Sequence, residues 1–311
     1  MKVAVIDMGT NTFHLLLVET KGGDFNVIHR ERVAVRVGEK GINKGMITEE
    51  AAQRALNTLQ DFKEKIVAHG IKQVFATATS AIRSAANGQE LVDKIKKQTG
   101  IQTRVISGLQ EAEYIYYGVT KALRIGQDPG LIMDIGGGSI EFIIGTDKQL
   151  LWKQSFEIGG QRLMELFHMN DPIQQPEIDE LCGYLEGKLQ ELFDACEQYR
   201  PKTLIGSSGT FDTLSDIYRE AASIQLAGEH TELPLTMEAL QTIHHDILSK
   251  TRAERLAIPG MIPLRVDMIV VAMVLIQYIL KKCDLNEIRV SAYALKEGVL
   301  LNTIHSLPTD S

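Results

Sequence analysis

Asp134, Gly136, Gly137, Gly138, Ser139 and Glu141 stand together in the stretch LIMDIGGGSIEFIIGT. A short apolar run ends in a carboxylate, three glycines follow, and a second apolar run holds another carboxylate. This reads as strand, tight turn, strand, with a tip that exposes backbone N–H groups. Glycines let a backbone come close to an anion and take conformations with φ > 0, so the tip is expected to wrap a phosphate. Two carboxylates beside such a cradle suit Mg²⁺ held partly through water. An ordinary glycine-rich hairpin would look the same in isolation, and glycine motifs recur by chance.

The pattern occurs twice. Asp7, Gly9, Thr12 and His14 repeat Asp134, Gly136, Ser139 and Glu141 at an offset of 127 positions. Val74–Thr79 (VFATAT) and Leu204–Thr210 (LIGSSGT) form a second matched pair, each a buried strand, a small polar loop and a helix start. A near-constant offset is what a duplicated domain produces. Two similar halves, each with a phosphate-type hairpin, are expected to face each other across a cleft. The RIGQDPG stretch, 124–130, has linker chemistry, which puts the domains at 1–123 and 124–311, with the last helix packing back toward the first.

The elements that must position these groups follow from periodicity. Gly22-Gly23 turns the first hairpin into further strands at Phe25–His29 and Val33–Val37. Arg30 and Arg32 there read as a solvated strand face, and Arg36, at a strand end, as the better ligand candidate. Thr48 caps a long amphipathic helix closed by Gly70. Arg83 lies one turn into the helix after the Thr77–Ser80 loop and is placed to reach an anion. Glu111 and Glu113 open another helix, where negative charge suits the dipole. In the second half, helices are expected at 161–167, 177–199, 237–249 and 252–257, with a buried helix to Lys282 and a last one from Leu295. His14, His168, His244 and His245 show no metal-ligand spacing.

The chain has 311 residues, enough for two cores, with 44% hydrophobic and 23% charged residues, as in soluble globular proteins. A formal net charge of −7 argues against non-specific nucleic-acid binding, so a polyanion needs a local basic pocket. Three cysteines, Cys182, Cys196 and Cys283, form no framework and suit a reducing compartment. The longest apolar run, Met268–Leu280, is interrupted by Gln277 and falls short of the ~20 residues a membrane span needs. No signal peptide is read at Met1–Ile6, and a cytoplasmic location is expected.

Taken in order, VIDMGTNTFHLLLVE, ATATSAIRSAANG, ISGLQEAEYIYYGV, LIMDIGGGSIEFIIG, IGSSGT and VSAYALKEGVLLN resemble the exopolyphosphatase/guanosine pentaphosphate phosphohydrolase family over essentially the whole chain. The resemblance implies an α/β fold of two ribonuclease-H-like domains of the actin, heat-shock ATPase and sugar kinase superfamily. It also implies Mg²⁺, and hydrolysis of the terminal phosphate of inorganic polyphosphate or guanosine pentaphosphate. By position, Glu111 matches the catalytic glutamate; Asp7, Asp134 and Glu141 match the metal-associated acids. Gly9, Thr10, Asn11 and Thr12 match the first phosphate loop, Gly136–Ser139 the second, and Ser208, Gly209 and Thr210 the third. Arg83 and Arg265 match phosphate-facing arginines. Thr10 and Thr12 replace serines, Gln110 an acid, and Ala294 and Lys296 a glycine and an arginine. The chain looks like a short form without the helical C-terminal region of longer relatives, which bears on processive action. A homodimer is the further partner expectation. An ATP-dependent phosphotransferase and an alarmone-binding sensor without turnover are the rival readings.

Overall fold

The structure, a computed structural model, describes residues 1–21, 24–228 and 230–306. The expected Gly22-Gly23 turn and the last residues, 307–311, lie outside them. The elements run β1 (Lys2–Met8), β2 (Thr12–Lys21), β3 (Asp24–Ala34), α1 (Glu49–Ala68), β4 (Gln73–Ala78), α2 (Ser80–Ser84), α3 (Gly88–Thr99), β5 (Thr103–Val105) and α4 (Gly108–Ala122). Next come β6 (Gly130–Ile135), β7 (Ile140–Gly145), β8 (Leu150–Phe156), α5 (Gly160–Phe167), α6 (Gln175–Lys188), α7 (Gln190–Tyr199), β9 (Thr203–Ser207) and α8 (Ser208–Ala222). The chain closes with β10 (Glu232–Leu233), α9 (Met237–Ser249), α10 (Arg252–Leu256), α11 (Met268–Lys282), β11 (Glu287–Ser291) and α12 (Leu295–Ser306).

Two compact units result. The first is Met1–Gly118 together with the chain from Leu295, so α12 belongs to it; the second is Val119–Ala294. Their sheets share one strand order. The first reads β3-β2-β1-β4-β5, and the second β8-β7-β6-β9-β11 with β10 added at the edge. In both, three antiparallel strands are followed by two parallel ones, the ribonuclease-H-like arrangement.

In the first unit Ala4, Ile6, Met8, Phe13, Leu15 and Leu17 point to one face and pack against Leu59, Phe62 and Ile66 of α1 and Ile95 of α3. The alternation that made these strands legible is the alternation that buries them. Thr48 caps α1 through the Ala51 amide, with Glu49 and Glu50 in the first turn. In the second unit α11 is apolar nearly all round and lies within the core, its residues from Ile269 to Ile276 buried. Among the described residues no helix is long and apolar enough to cross a membrane.

Two expectations about elements need correction. β3 is one strand from Asp24 to Ala34, not two runs, because Arg30-Glu31-Arg32 keeps the alternation going. Glu31 turns to α1 and binds Lys65 Nζ at 2.6 Å, which supports that stretch as strand. Val35 and Arg36 then leave it. The helix expected over 177–199 is two helices that part at Leu189, whose backbone is no longer helical (φ −110°, ψ 19°). Gly187, just before, weakens the helix there.

Candidate active site

The first loop, between β1 and β2, closes when the Gly9 amide donates to Thr12 O at 3.0 Å. Its carbonyls turn toward the segment after β3. Thr10 O accepts from the Gly38 amide (3.1 Å), and Asn11 O accepts from those of Val35 (3.0 Å) and Arg36 (2.9 Å). A trans peptide sets N–H opposite C=O, so the amides of Asn11 and Thr12 face the other way. Arg36 holds a left-handed conformation (φ 52°), which costs a non-glycine residue roughly 1 kcal/mol and lets two successive amides converge on one oxygen.

The second loop repeats this with different partners. Gly136 O, Gly137 O and Gly138 O accept from the amides of Gly160 (2.9 Å), Gln161 (2.9 Å) and Gly159 (3.0 Å), and Arg162 Nε adds a bond to Gly138 O at 2.9 Å. The amides of Gly137, Gly138 and Ser139 therefore point away from α5. This close stitching requires glycine at 159, since a Cβ there would sit 2.4 Å from the Gly137 carbonyl carbon.

Around this second loop the side chains are tightly held. Asp134 is buried, and its Oδ2 accepts from Ser207 Oγ at 2.8 Å and Ser208 Oγ at 2.6 Å. Ser208 has φ 68°, another left-handed non-glycine residue, at the turn from β9 into α8. Glu141, across the hairpin from Asp134, is 1% exposed and its Oε1 accepts from Ser155 Oγ at 2.7 Å. Arg265 lies against Gly209 so closely that a Cβ would meet its Nη2 at 2.1 Å. Thr210 is buried at the start of α8.

In the first unit Arg83 and Glu111 come together across 28 positions. Arg83 Nη1 donates to Glu111 Oε2 at 2.7 Å and to Ile106 O at 3.2 Å, and both side chains are mostly buried. The Thr79 amide bonds Met8 O (3.3 Å) and the Ile106 amide bonds Ala78 O (3.1 Å), so the ends of β1, β4 and β5 are tied beside this pair. Glu113, by contrast, is half-exposed and accepts from Tyr117 Oη at 2.8 Å.

Strand register lines these groups up. Directly opposite residues share a face. In the first sheet one line runs Arg32, His14, Asp7, Thr77, Arg104. In the second the matching line runs Ser155, Glu141, Asp134, Ser207.

The expected site residues thus gather in two sets. Asp7, Gly9–Thr12, Arg83 and Glu111 lie in the first unit; Asp134, Gly136–Ser139, Glu141, Ser208–Thr210 and Arg265 lie in the second. Ser208 is in place, with its hydroxyl on Asp134 rather than turned outward. Sequence reasoning did not single out Ser155 or the Ser207 hydroxyl as partners of the two acids. A register count outward from the hairpin is the signal that finds both.

The donor chemistry of the second unit fits Mg²⁺. Two hard carboxylates sit at one register, and among the described residues no third Asp, Glu, His or Cys joins them as a metal-binding group. Mg²⁺ commonly takes one or two protein carboxylates and keeps its waters.

Known proteins resemble this chain over nearly its whole length. The model of the Ppx/GppA phosphatase family matches residues 16–307. Exopolyphosphatase 1 of Mycobacterium leprae (strain TN) is 27% identical over 308 residues, which cover 98% of this chain and 90% of that protein. The solved exopolyphosphatase of Cytophaga hutchinsonii ATCC 33406 is 45% identical, covers 100% of both chains and superposes with a TM-score of 0.96. The Aquifex aeolicus Ppx/GppA member is 25% identical, with a TM-score of 0.79 over 98% of each chain.

Proposed function

The chain belongs to the Ppx/GppA phosphatase family, and from that premise we propose that it is an exopolyphosphatase, releasing orthophosphate from the end of inorganic polyphosphate. The observation that carries the hydrolytic reading is Glu111, a 7%-exposed carboxylate at the start of α4 that Arg83 holds in one orientation. Transfer to water needs a base aimed at that water, and a sensor without turnover does not.

Water attacks the terminal phosphorus and the phosphoanhydride P–O bond breaks, leaving the chain one phosphate shorter. Glu111 orients the water and takes its proton. The amides of Asn11 and Thr12, and of Gly137, Gly138 and Ser139, stabilise charge on phosphate oxygens, with no reorganisation needed at the moment of reaction. Arg265 adds a fixed cation beside Gly209. Phosphoryl transfer rests on such positioning and charge neutralisation. Asp134 and Glu141 would hold Mg²⁺, with Asp7 as the first unit's matching carboxylate. Bound there, the ion would neutralise phosphate charge. Guanosine pentaphosphate ends in the same anhydride and is the second substrate proposed.

Glu111→Gln keeps the size of the group and removes the base. The expected loss in kcat for phosphate release is ~10²–10⁴-fold, while polyphosphate binding persists in a direct titration. Glu113→Gln serves as the control, within about twofold of wild type because its carboxylate is spent on Tyr117. Turnover of Glu111→Gln close to wild type would remove Glu111 from the chemistry. Wild-type binding of guanosine pentaphosphate without release from any substrate would favour the sensor.

A further inference from the structure

The three carbonyls behind the second glycine loop are not backed alike. Gly136 O and Gly137 O each accept a backbone amide, from Gly160 and Gln161, both at 2.9 Å. Gly138 O accepts the Gly159 amide at 3.0 Å and also Arg162 Nε at 2.9 Å. The second of these bonds is charge-assisted, and so about twice as strong as a neutral one. The peptide that presents Gly138 O carries the Ser139 amide on its opposite edge, where the loop faces away from α5.

Arg162 is fixed where this bond needs it. It is the third residue of α5, and the two residues before it are the ones whose amides hold the loop. Its side chain is only 13% exposed, and Nη2 meets Glu157 Oε2 at 3.2 Å, just ahead of the helix. A planar guanidinium held this way loses little further freedom in keeping Nε on one carbonyl. A donor on a carbonyl polarises the whole peptide, and its N–H becomes a better donor in turn. The charge of Arg162 is therefore felt on the outer side of the loop through one peptide unit.

We propose that Arg162 is a positioning residue for phosphate: through the Gly138–Ser139 peptide it fixes and polarises the Ser139 amide, which makes that amide the strongest phosphate donor of the second loop. This rests on the phosphate-cradle reading above and adds to it a residue that acts from behind the loop. Charge gathering on a phosphate oxygen meets a donor already oriented, whose strength a buried cation sets.

The experiment measures kcat/KM for long-chain polyphosphate, with unfolding midpoints, in wild type, Arg162→Met and Arg162→Lys. Methionine keeps an apolar stem and removes the donor, whereas lysine can still donate to Gly138 O. Losing a whole donor to an oxyanion costs ~10²–10³-fold, so a weakened one should cost less, about tenfold in Arg162→Met. Arg162→Lys should recover most of that rate, which a packing role would not predict. A wild-type rate in Arg162→Met, or a rate in Arg162→Lys as low as that of Arg162→Met, overturns the proposal. A second readout needs neither turnover nor a variant, and decides where Arg162→Met does not fold. Tripolyphosphate is titrated into wild type and the loop amides are followed by NMR. The Ser139 amide proton should move further downfield than that of Gly138, and an equal, smaller or absent response overturns the proposal. Should wild type release phosphate from no polyphosphate while Ser139 still leads, the hydrolase reading fails and the positioning stands.

Discussion

The two sheets have one strand order and one hairpin register, yet the same line across them carries opposite chemistry. In the first unit it reads Arg32, His14, Asp7, Thr77, Arg104, a single carboxylate between cations. In the second it reads Ser155, Glu141, Asp134, Ser207, two carboxylates each supplied with hydroxyls. The loops above these lines are alike, with carbonyls turned into a neighbouring segment and amides turned out. The two hairpins share a backbone plan and differ at the flanking positions. His14 stands where Glu141 does, so the first line holds one carboxylate where the second holds two.

The largest effect that sharpens this contrast is on metal use. Asp134→Asn or Glu141→Gln should cut Mg²⁺-dependent phosphate release by ~10²-fold or more, since few protein ligands hold the ion. Asp7→Asn should cost less, because its line has no second carboxylate. Equal Mg²⁺ responses in all three would erase the division of labour between the units.

Next in size is the buried ion pair of the first unit. Arg83→Met takes the guanidinium from a mostly buried carboxylate, and denaturant unfolding should show a loss of about 3 kcal/mol. The second unit's acids are held by neutral hydroxyls, so Ser155→Ala should cost closer to ~1–2 kcal/mol. A larger loss for the serine would invert the comparison.

Smaller again is the outer support of the metal pair. Ser207→Ala should raise the Mg²⁺ concentration needed for half-maximal rate by about tenfold, the usual scale for a residue behind a ligand. Its counterpart Thr77 donates to Ile6 O rather than to Asp7, so Thr77→Val should leave that concentration nearly unchanged.

The smallest effect is a pH slope in the second unit. Burial, with Arg255 nearby, holds His168 below the ordinary histidine range, against the pull of Asp171, Asp267 and Glu177. Below about pH 6.5 the unfolded chain therefore binds a proton at this position that the folded one resists, and stability falls as pH drops from 7 to 5. His168→Gln should flatten that slope, read from unfolding midpoints across the range. An unchanged slope would assign the acid sensitivity elsewhere.

Much of this was legible in the chain. The 127-position offset put Asp7 over Asp134 and His14 over Glu141, and in the structure Asp7 faces His14 in one hairpin register as Asp134 faces Glu141 in the other. Strand alternation and the Thr48 cap marked β1, β2 and α1 because burial and capping act over a few residues. What was hidden depends on distant pairing. Ser155 meets Glu141 only through the β7–β8 register, which shifts between Ile144 and Gly145. Arg83 reads as an anion-facing residue and Glu111 as a helix-start acid or catalytic base, but that the two pair with each other depends on β4 and β5 bringing α2 and α4 together. The fully buried Arg255, which holds Lys250 O, Val266 O and Asp171, gave no signal, because two of its partners are carbonyls that every residue carries and Asp171 lies far away in the chain.

In the proposed reaction the second unit's acids, Asp134 and Glu141, serve a metal in the hydrolysis of polyphosphate. Orthophosphate release from polyphosphate, followed against Mg²⁺ concentration in wild type and Asp134→Asn, tests it most directly. We expect orthophosphate as the early product, no rate in excess chelator, recovery on adding Mg²⁺, and a half-maximal Mg²⁺ concentration at least about tenfold higher in Asp134→Asn. Full activity in chelator, or an Asp134→Asn curve that overlays the wild type, would contradict it.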